Sequence, residues 1–250
     1  MSPPTWTPGA LSSEARPYRR KLWRVVEAQH RASTMRITDT LEEQAILEQL
    51  IEEAKPRVPP DCRHLHYLLY TPFRYAPYPH GSRFRRARQR EGAFYASEQI
   101  ATALAETAFY RLLFYLEAPA ARRPARPTEH TAFRVAAATA RLIDLTLPPF
   151  AREAATWRAP VDYRPCQDLA DAARAGRIEA IRYSSVRDPQ RRANVALLSP
   201  KAFAGAGPEA TETWRVFVRA DAVQAWRDFP EPLRLELGRA DFADDPRMAA

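Results

Sequence analysis

Within 24 residues the chain places an arginine after a glycine, a tyrosine in an apolar run and a carboxylate among apolar neighbours: Arg83, Tyr95 and Glu106, in "GSRFRRARQREGAFYASEQIATALAE". A guanidinium, a phenol and a carboxylate suit a ligand that carries phosphates, a flat ring and a ribose. At 100° per residue, a helix over "EQIATALAETAFYRLLFYLE" puts Ala103, Tyr110 and Leu113 on the same side as Glu106. A carboxylate there needs a partner, because a buried charge is costly unless paired or hydrogen-bonded. Spacing alone favours an ion pair with a nearby arginine. Gly81 and Gly92 bracket the arginine loop, where glycine permits tight turns and close approach. Arg85, Arg86, Arg88 and Arg90 sit where a solvated loop would put charge.

Other chemistries find little support. There is no G-x-G-x-x-G, phosphate loop, G-x-S-x-G elbow or H-E-x-x-H. Cys62, His64 and His66 would share one face of an extended segment, but alternate positions on one strand rarely converge on an ion and a fourth ligand is missing; no metal is expected. The net charge of +8 raises the alternative of a basic nucleic-acid-binding module. Yet 35 of the 38 basic residues are arginines spread along the chain, which reads as composition bias and solvated surface, not a binding stripe.

The elements that must position these groups mix strands and helices without regular βαβ alternation, so the class is α+β. Residues 1–60 read as a helical extension. One helix is expected over "SSEARPYRRKLWRVVEAQHRA", and a second follows Thr40, whose capping box with Glu43 precedes apolar residues at helical spacing. That amphipathic helix must pack on the main domain or on another chain, so a homodimer is one option. "RHLHYLLYTPFRY" reads as a buried strand and "GAFYAS" as a short one. Further strands are expected at "TAFRVAAATA", "RLIDLT", "IEAIRYSSV", "NVALLS" and "TWRVFVRA", with helical segments near 149–157 and 168–175. Residues 229–250 read as a tail. No run is apolar enough for a membrane helix, the N-terminus lacks a secretory pattern, and two cysteines make no disulfide framework, so the expected location is the cytoplasm.

Four ordered motifs resemble the RES-domain family: "GSRF" with Arg83, "GAFY" with Tyr95, "TALAE" with Glu106 and "IRYSSVR" with Ser185, preceded by "YTPFRY" with Arg74 and followed by "NVALLS". Phe84 stands where tryptophan is usual, and Ser184 where proline is. The resemblance implies an ADP-ribosyltransferase-like split β-sheet core with flanking helices, taken as residues 61–228. It also implies an NAD-consuming toxin that cleaves the nicotinamide–ribose bond, by hydrolysis or phosphorolysis, or a transferase that modifies a protein. A small helical Xre-like antitoxin would neutralise it. NAD would be a substrate, with no resident cofactor. Glu106 would be catalytic, Arg83 would take the pyrophosphate, and Tyr95 would border the nicotinamide. Ser185 would touch the ribose region or orient Arg83, and Arg74 would belong to the NAD-binding set.

Overall fold

The computed structural model describes residues 6–28, 38–75 and 78–248. Its centre is an eight-stranded sheet: β1 (Arg16–Glu27), β2 (Phe94–Ser97), β3 (Thr128–Asp144), β4 (Ala180–Ser184), β5 (Ala193–Leu197), β6 (Ala210–Val218), β7 (Ala222–Arg227) and β8 (Leu233–Gly238). The spatial order is β1-β2-β5-β4-β3-β6-β7-β8, and β1 also pairs with β3. The first five strands in that order therefore close on themselves, and β6, β7 and β8 continue outward from β3.

The split in the sheet occurs along β3. One edge of this 17-residue strand pairs antiparallel with β1, from Arg16↔Leu142 to Glu27↔His130. The other edge is divided. Residues 128–134 pair antiparallel with β6, residues 142–144 pair parallel with β4, and a lone bridge from Ala137 to Phe203 lies between. This divided edge matches the α+β, split-sheet expectation. Where two strands were expected over 131–146, one continuous strand serves both halves.

Three apolar clusters surround the sheet. α3 (Tyr67–Arg74) sends Leu69 and Phe73 against Phe94, Val195 and Leu197. α4 (Ile100–Glu117) packs Leu104, Phe109 and Leu112 against Trp214, Val216 and Val223. α6 (Arg164–Ala175) joins α1 (Pro8–Ser13) and the short α5 (Ala154–Trp157) over Ile143, Ile181 and Ala196. Gly92 lies hard against α3: a Cβ there would come within 2.3 Å of the Pro72 carbonyl oxygen.

Several segments differ from expectation. The helix expected over residues 12–32 is, in its described part, the end of α1 followed by strand β1. Tyr18, Leu22, Trp23, Val25 and Val26 suit a pleated strand, and Leu22 and Trp23 enter different clusters, as successive strand residues do. The strand expected from residue 63 is a turn followed by α3, with His66 capping the Leu68 amide. A short apolar run does not separate a buried strand from a helix, and Leu69 with Phe73 is a helical pair. Cys62 is accordingly buried in the core and shares no strand face with His64 and His66. β7 and β8 were not anticipated, and strands from both the expected extension and the expected tail belong to the one sheet. α2 (Leu41–Ala54) does form, with its capping box, and carries no buried side chain. Among the described residues no helix is long and apolar enough to cross a membrane.

Candidate active site

A cavity of about 440 Å³ opens beside the junction of β1 and β2. These strands pair only at Trp23↔Ser97, and residues 23–25 and 95–97 on either side of that pairing line the cavity. α4 forms another wall with Ala103, Glu106, Thr107 and Tyr110, which bears out the helical placement of Glu106. Aromatic groups line much of the rest: Trp23, Tyr95, Tyr163 and Tyr183.

Among the described residues Glu106 does not form the ion pair that spacing favours. Its Oε1 accepts hydrogen bonds from the Ser185 hydroxyl at 2.7 Å and the Asn194 amide at 2.6 Å, both neutral donors. The Asn194 amide is itself oriented, because its Oδ1 accepts from the Ser97 hydroxyl at 2.6 Å. Ser185 is fully buried, and its Oγ also accepts from the Arg187 and Asp188 amides. The segment is fastened to α4 one turn before Glu106, where Thr102 Oγ1 donates to Asp188 Oδ2 at 2.7 Å. Ser185 thus reaches Glu106 and not Arg83, and holds one carboxylate oxygen. Ser185→Ala would remove that donor and leave two buried amides without their acceptor. It should cost about 1–3 kcal/mol, read as a lower denaturation midpoint.

Arg83 is also brought to the cavity, nearly buried. Its Nη1 donates to the carbonyls of Trp157 (2.8 Å) and Ala159 (3.0 Å), and its guanidinium lies 4.7 Å from the Tyr163 ring centroid. The turn that carries it is braced by Tyr95, whose hydroxyl bonds Ser82 Oγ at 2.8 Å and accepts from the Phe84 amide at 3.0 Å. Burial raises the Tyr95 phenol above its ordinary range, so it is neutral at physiological pH. α6 cradles the same loop: Arg174 donates to the Phe84 and Gly92 carbonyls, and Gln167 to those of Ser82 and Arg85. Arg86, expected to be solvated, instead bridges Asp168 and Asp171 on α6. The arginine-rich loop is therefore partly a structural clamp.

Arg74 is not part of this constellation. Its guanidinium pairs with Glu52 of α2 at 2.7 Å and donates to the Pro56 carbonyl, and it does not line the cavity.

Residues outside the expected set complete the walls. Arg187 is buried, lies 3.9 Å from the Phe109 ring centroid and pairs with Asp245. Its Nη2 donates to the Pro160 carbonyl and Tyr163 hydroxyl. Arg111 pairs with Glu27 and contacts His130, whose pKa is lowered by burial and by that same arginine. Arg24, from β1, donates to the Tyr95 carbonyl at 2.9 Å and lies 4.9 Å from the Phe94 centroid. The "NVALLS" and "YSSVR" motifs contain Asn194 and Arg187. Nothing pointed to Arg24 while its segment was read as helix.

A split-sheet α+β protein with a carboxylate held by two neutral donors, buried arginines and aromatic walls in one cleft is the class that fold and site define. The chain belongs to the RES domain family, whose sequence model matches residues 56–219. No curated protein matches it.

Proposed function

We propose that the protein consumes NAD by breaking the nicotinamide–ribose bond. The observation that carries this reading is Glu106 at the wall of an aromatic cavity, held on one oxygen by Ser185 and Asn194, with Arg83 in the same cavity. The volume lies within the roughly 300–1,000 Å³ of small-molecule sites. Family membership supports the same chemistry.

In this reaction the bond between ribose C1′ and the pyridinium nitrogen breaks, and its electron pair neutralises the nicotinamide. Positive charge develops at C1′ and the ring oxygen. Glu106 stabilises that charge and accepts hydrogen bonds from the ribose hydroxyls, as a carboxylate does in glycoside hydrolysis. Neutral donors on one of its oxygens fix its position without cancelling its charge. Water or phosphate then bonds to C1′, and a water nucleophile releases its proton to solvent. The Arg83 fork takes the pyrophosphate. Tyr95 borders the nicotinamide with its ring while its hydroxyl holds the Arg83 turn. Transfer to a protein acceptor would use the same bond cleavage. RES proteins usually occur as the toxin of a toxin–antitoxin pair, and we extend to this chain neutralisation by a small helical antitoxin that covers the cleft.

The test is incubation of the purified protein with NAD in buffer, with phosphate, and with candidate acceptor proteins, followed by mass analysis of the products. Free ADP-ribose, its 1″-phosphate or a modified protein identifies the acceptor. Intact NAD in all three would overturn the reading.

A further inference from the structure

The sheet ends at β8, and among the described residues no strand pairs with its outer edge. An open edge presents unpaired backbone N–H and C=O groups, which can take up another strand unless they are covered or protected. The ladder with β7 decides which groups are open. The Arg239 amide donates to the Asp221 carbonyl, one position past the Ala222↔Gly238 partners. Hydrogen-bonded and non-hydrogen-bonded pairs alternate along an antiparallel ladder. Leu233, Leu235 and Leu237 therefore bond to β7, while the amides and carbonyls of Arg234 and Glu236 point away from the sheet. Gly238, next in that outward set, donates its amide to Asp241 Oδ2 at 2.8 Å. The side chains of Arg234 and Glu236 share one face of β8 and are exposed. Among the described residues neither has an ion-pair partner, and Glu236 accepts from Gln224 Nε2 at 2.6 Å.

We propose that β8 is a self-pairing edge, which joins two copies of this chain antiparallel about a two-fold axis at Leu235. In that register Arg234 lies opposite Glu236 of the second copy, and Glu236 opposite Arg234 of the second copy. These are the residues whose backbone groups point outward, so both pairs exchange N–H···O bonds while their side chains bring opposite charges together. Leu235 meets its counterpart in the intervening non-hydrogen-bonded pair, where side chains lie closest. A two-residue slip in either direction sets Arg234 against Arg234 or Glu236 against Glu236, which like-charge repulsion disfavours. Pairing also stops at defined ends. The next outward positions are Pro232, which has no N–H, and Gly238, whose N–H is taken by Asp241. Charge protects an edge by repelling a second copy, and here the two signs attract it instead. Such a contact uses the same surface on both copies and closes at two. β8 lies outside the family-matched segment, residues 56–219, and no residue of β6, β7 or β8 lines the cavity, so the pairing is independent of the NAD reading.

The test is sedimentation velocity of the purified chain over a range of concentrations, with two charge-reversal variants, Arg234→Glu and Glu236→Arg. The wild type is expected to pass from monomer to dimer as concentration rises. Each variant alone sets like charges at both pairs and should raise the dimer dissociation constant at least about tenfold. An equimolar mixture of the two variants restores opposite charges at both pairs and should dimerise as the wild type does. Both side chains are exposed, so thermal unfolding of each variant should match the wild type. A wild type that remains monomeric or grows beyond dimers, a dimer that either variant keeps at full strength, or a mixture as weak as its components overturns the proposal. A dimer indifferent to both variants would point instead to the exposed apolar face of α2, with Leu41, Ile46 and Leu50.

Discussion

Glu106→Gln is expected to lower nicotinamide release by about a thousandfold or more, the scale of losing a key electrostatic contact to a transition state. The change is nearly isosteric. Its remaining carbonyl oxygen can still accept from Ser185 and Asn194, which now hold Oε1 at 2.7 and 2.6 Å. Stability should therefore stay within about 1 kcal/mol of wild type. The two readouts together separate chemistry from folding: thermal unfolding should be nearly unchanged while turnover collapses. A variant that kept most of its activity would remove Glu106 from the reaction and leave it a polar anchor for the 185–188 turn. That outcome is physically distinct, because an anchor needs only an acceptor oxygen, whereas stabilising C1′ needs a negative charge.

The largest expected stability effect lies at the other end of the chain. Asp245 and Arg187 are each 2% exposed at the side chain, and Arg247 bonds the same carboxylate. Removing one partner of a buried pair strands the other, so Asp245→Ala should cost about 3–5 kcal/mol. For a chain of this size that is a fall in Tm of roughly 6–20 °C. Burial opposes the charge on Asp245, but hydrogen bonds from Arg247 and the charges of Arg187 and Arg247 outweigh it and hold the carboxyl below its ordinary pKa. A depressed folded-state pKa stabilises the fold above the unfolded value and loses that contribution as pH falls through the folded value. The gap between wild type and Asp245→Ala in urea unfolding should therefore be full at pH 7 and shrink as the pH falls below the ordinary aspartate range of about 4. A gap independent of pH would mean that Asp245 contributes by packing and not by charge. Because Arg187 lines the cavity, the same substitution should also impair substrate binding.

Much of the site was legible from local pattern. The helical spacing around Glu106 placed Ala103 and Tyr110 beside it, and both line the cavity. The glycine before Arg83 and the short strand of Tyr95 marked the turn that α6 now cradles. What local pattern could not show was the identity of the Glu106 partners. Ser185 and Asn194 come from β4's end and β5, about 80 residues away, and the ordered motifs bring Ser185 to the site only as a ribose contact or a brace for Arg83, not as the partner of Glu106. β1 was hidden for a different reason. Its arginines occupy both faces and blur the period-2 pattern, and its stability comes from pairing along the whole of β3, which no local window contains. The role of Asp245 was equally out of reach, since its partner sits 58 positions earlier. Arg74 illustrates the converse: a motif position can be filled and still face a helix, here Glu52 of α2, rather than the cleft.

The most direct test of the account is a time course of nicotinamide release from NAD by wild type and Glu106→Gln, run side by side at matched folded concentration. The account predicts steady release by the wild type and next to none by the variant. Equal release by both proteins would contradict it, as would a folded wild type that leaves NAD intact with water, phosphate and protein acceptors all present.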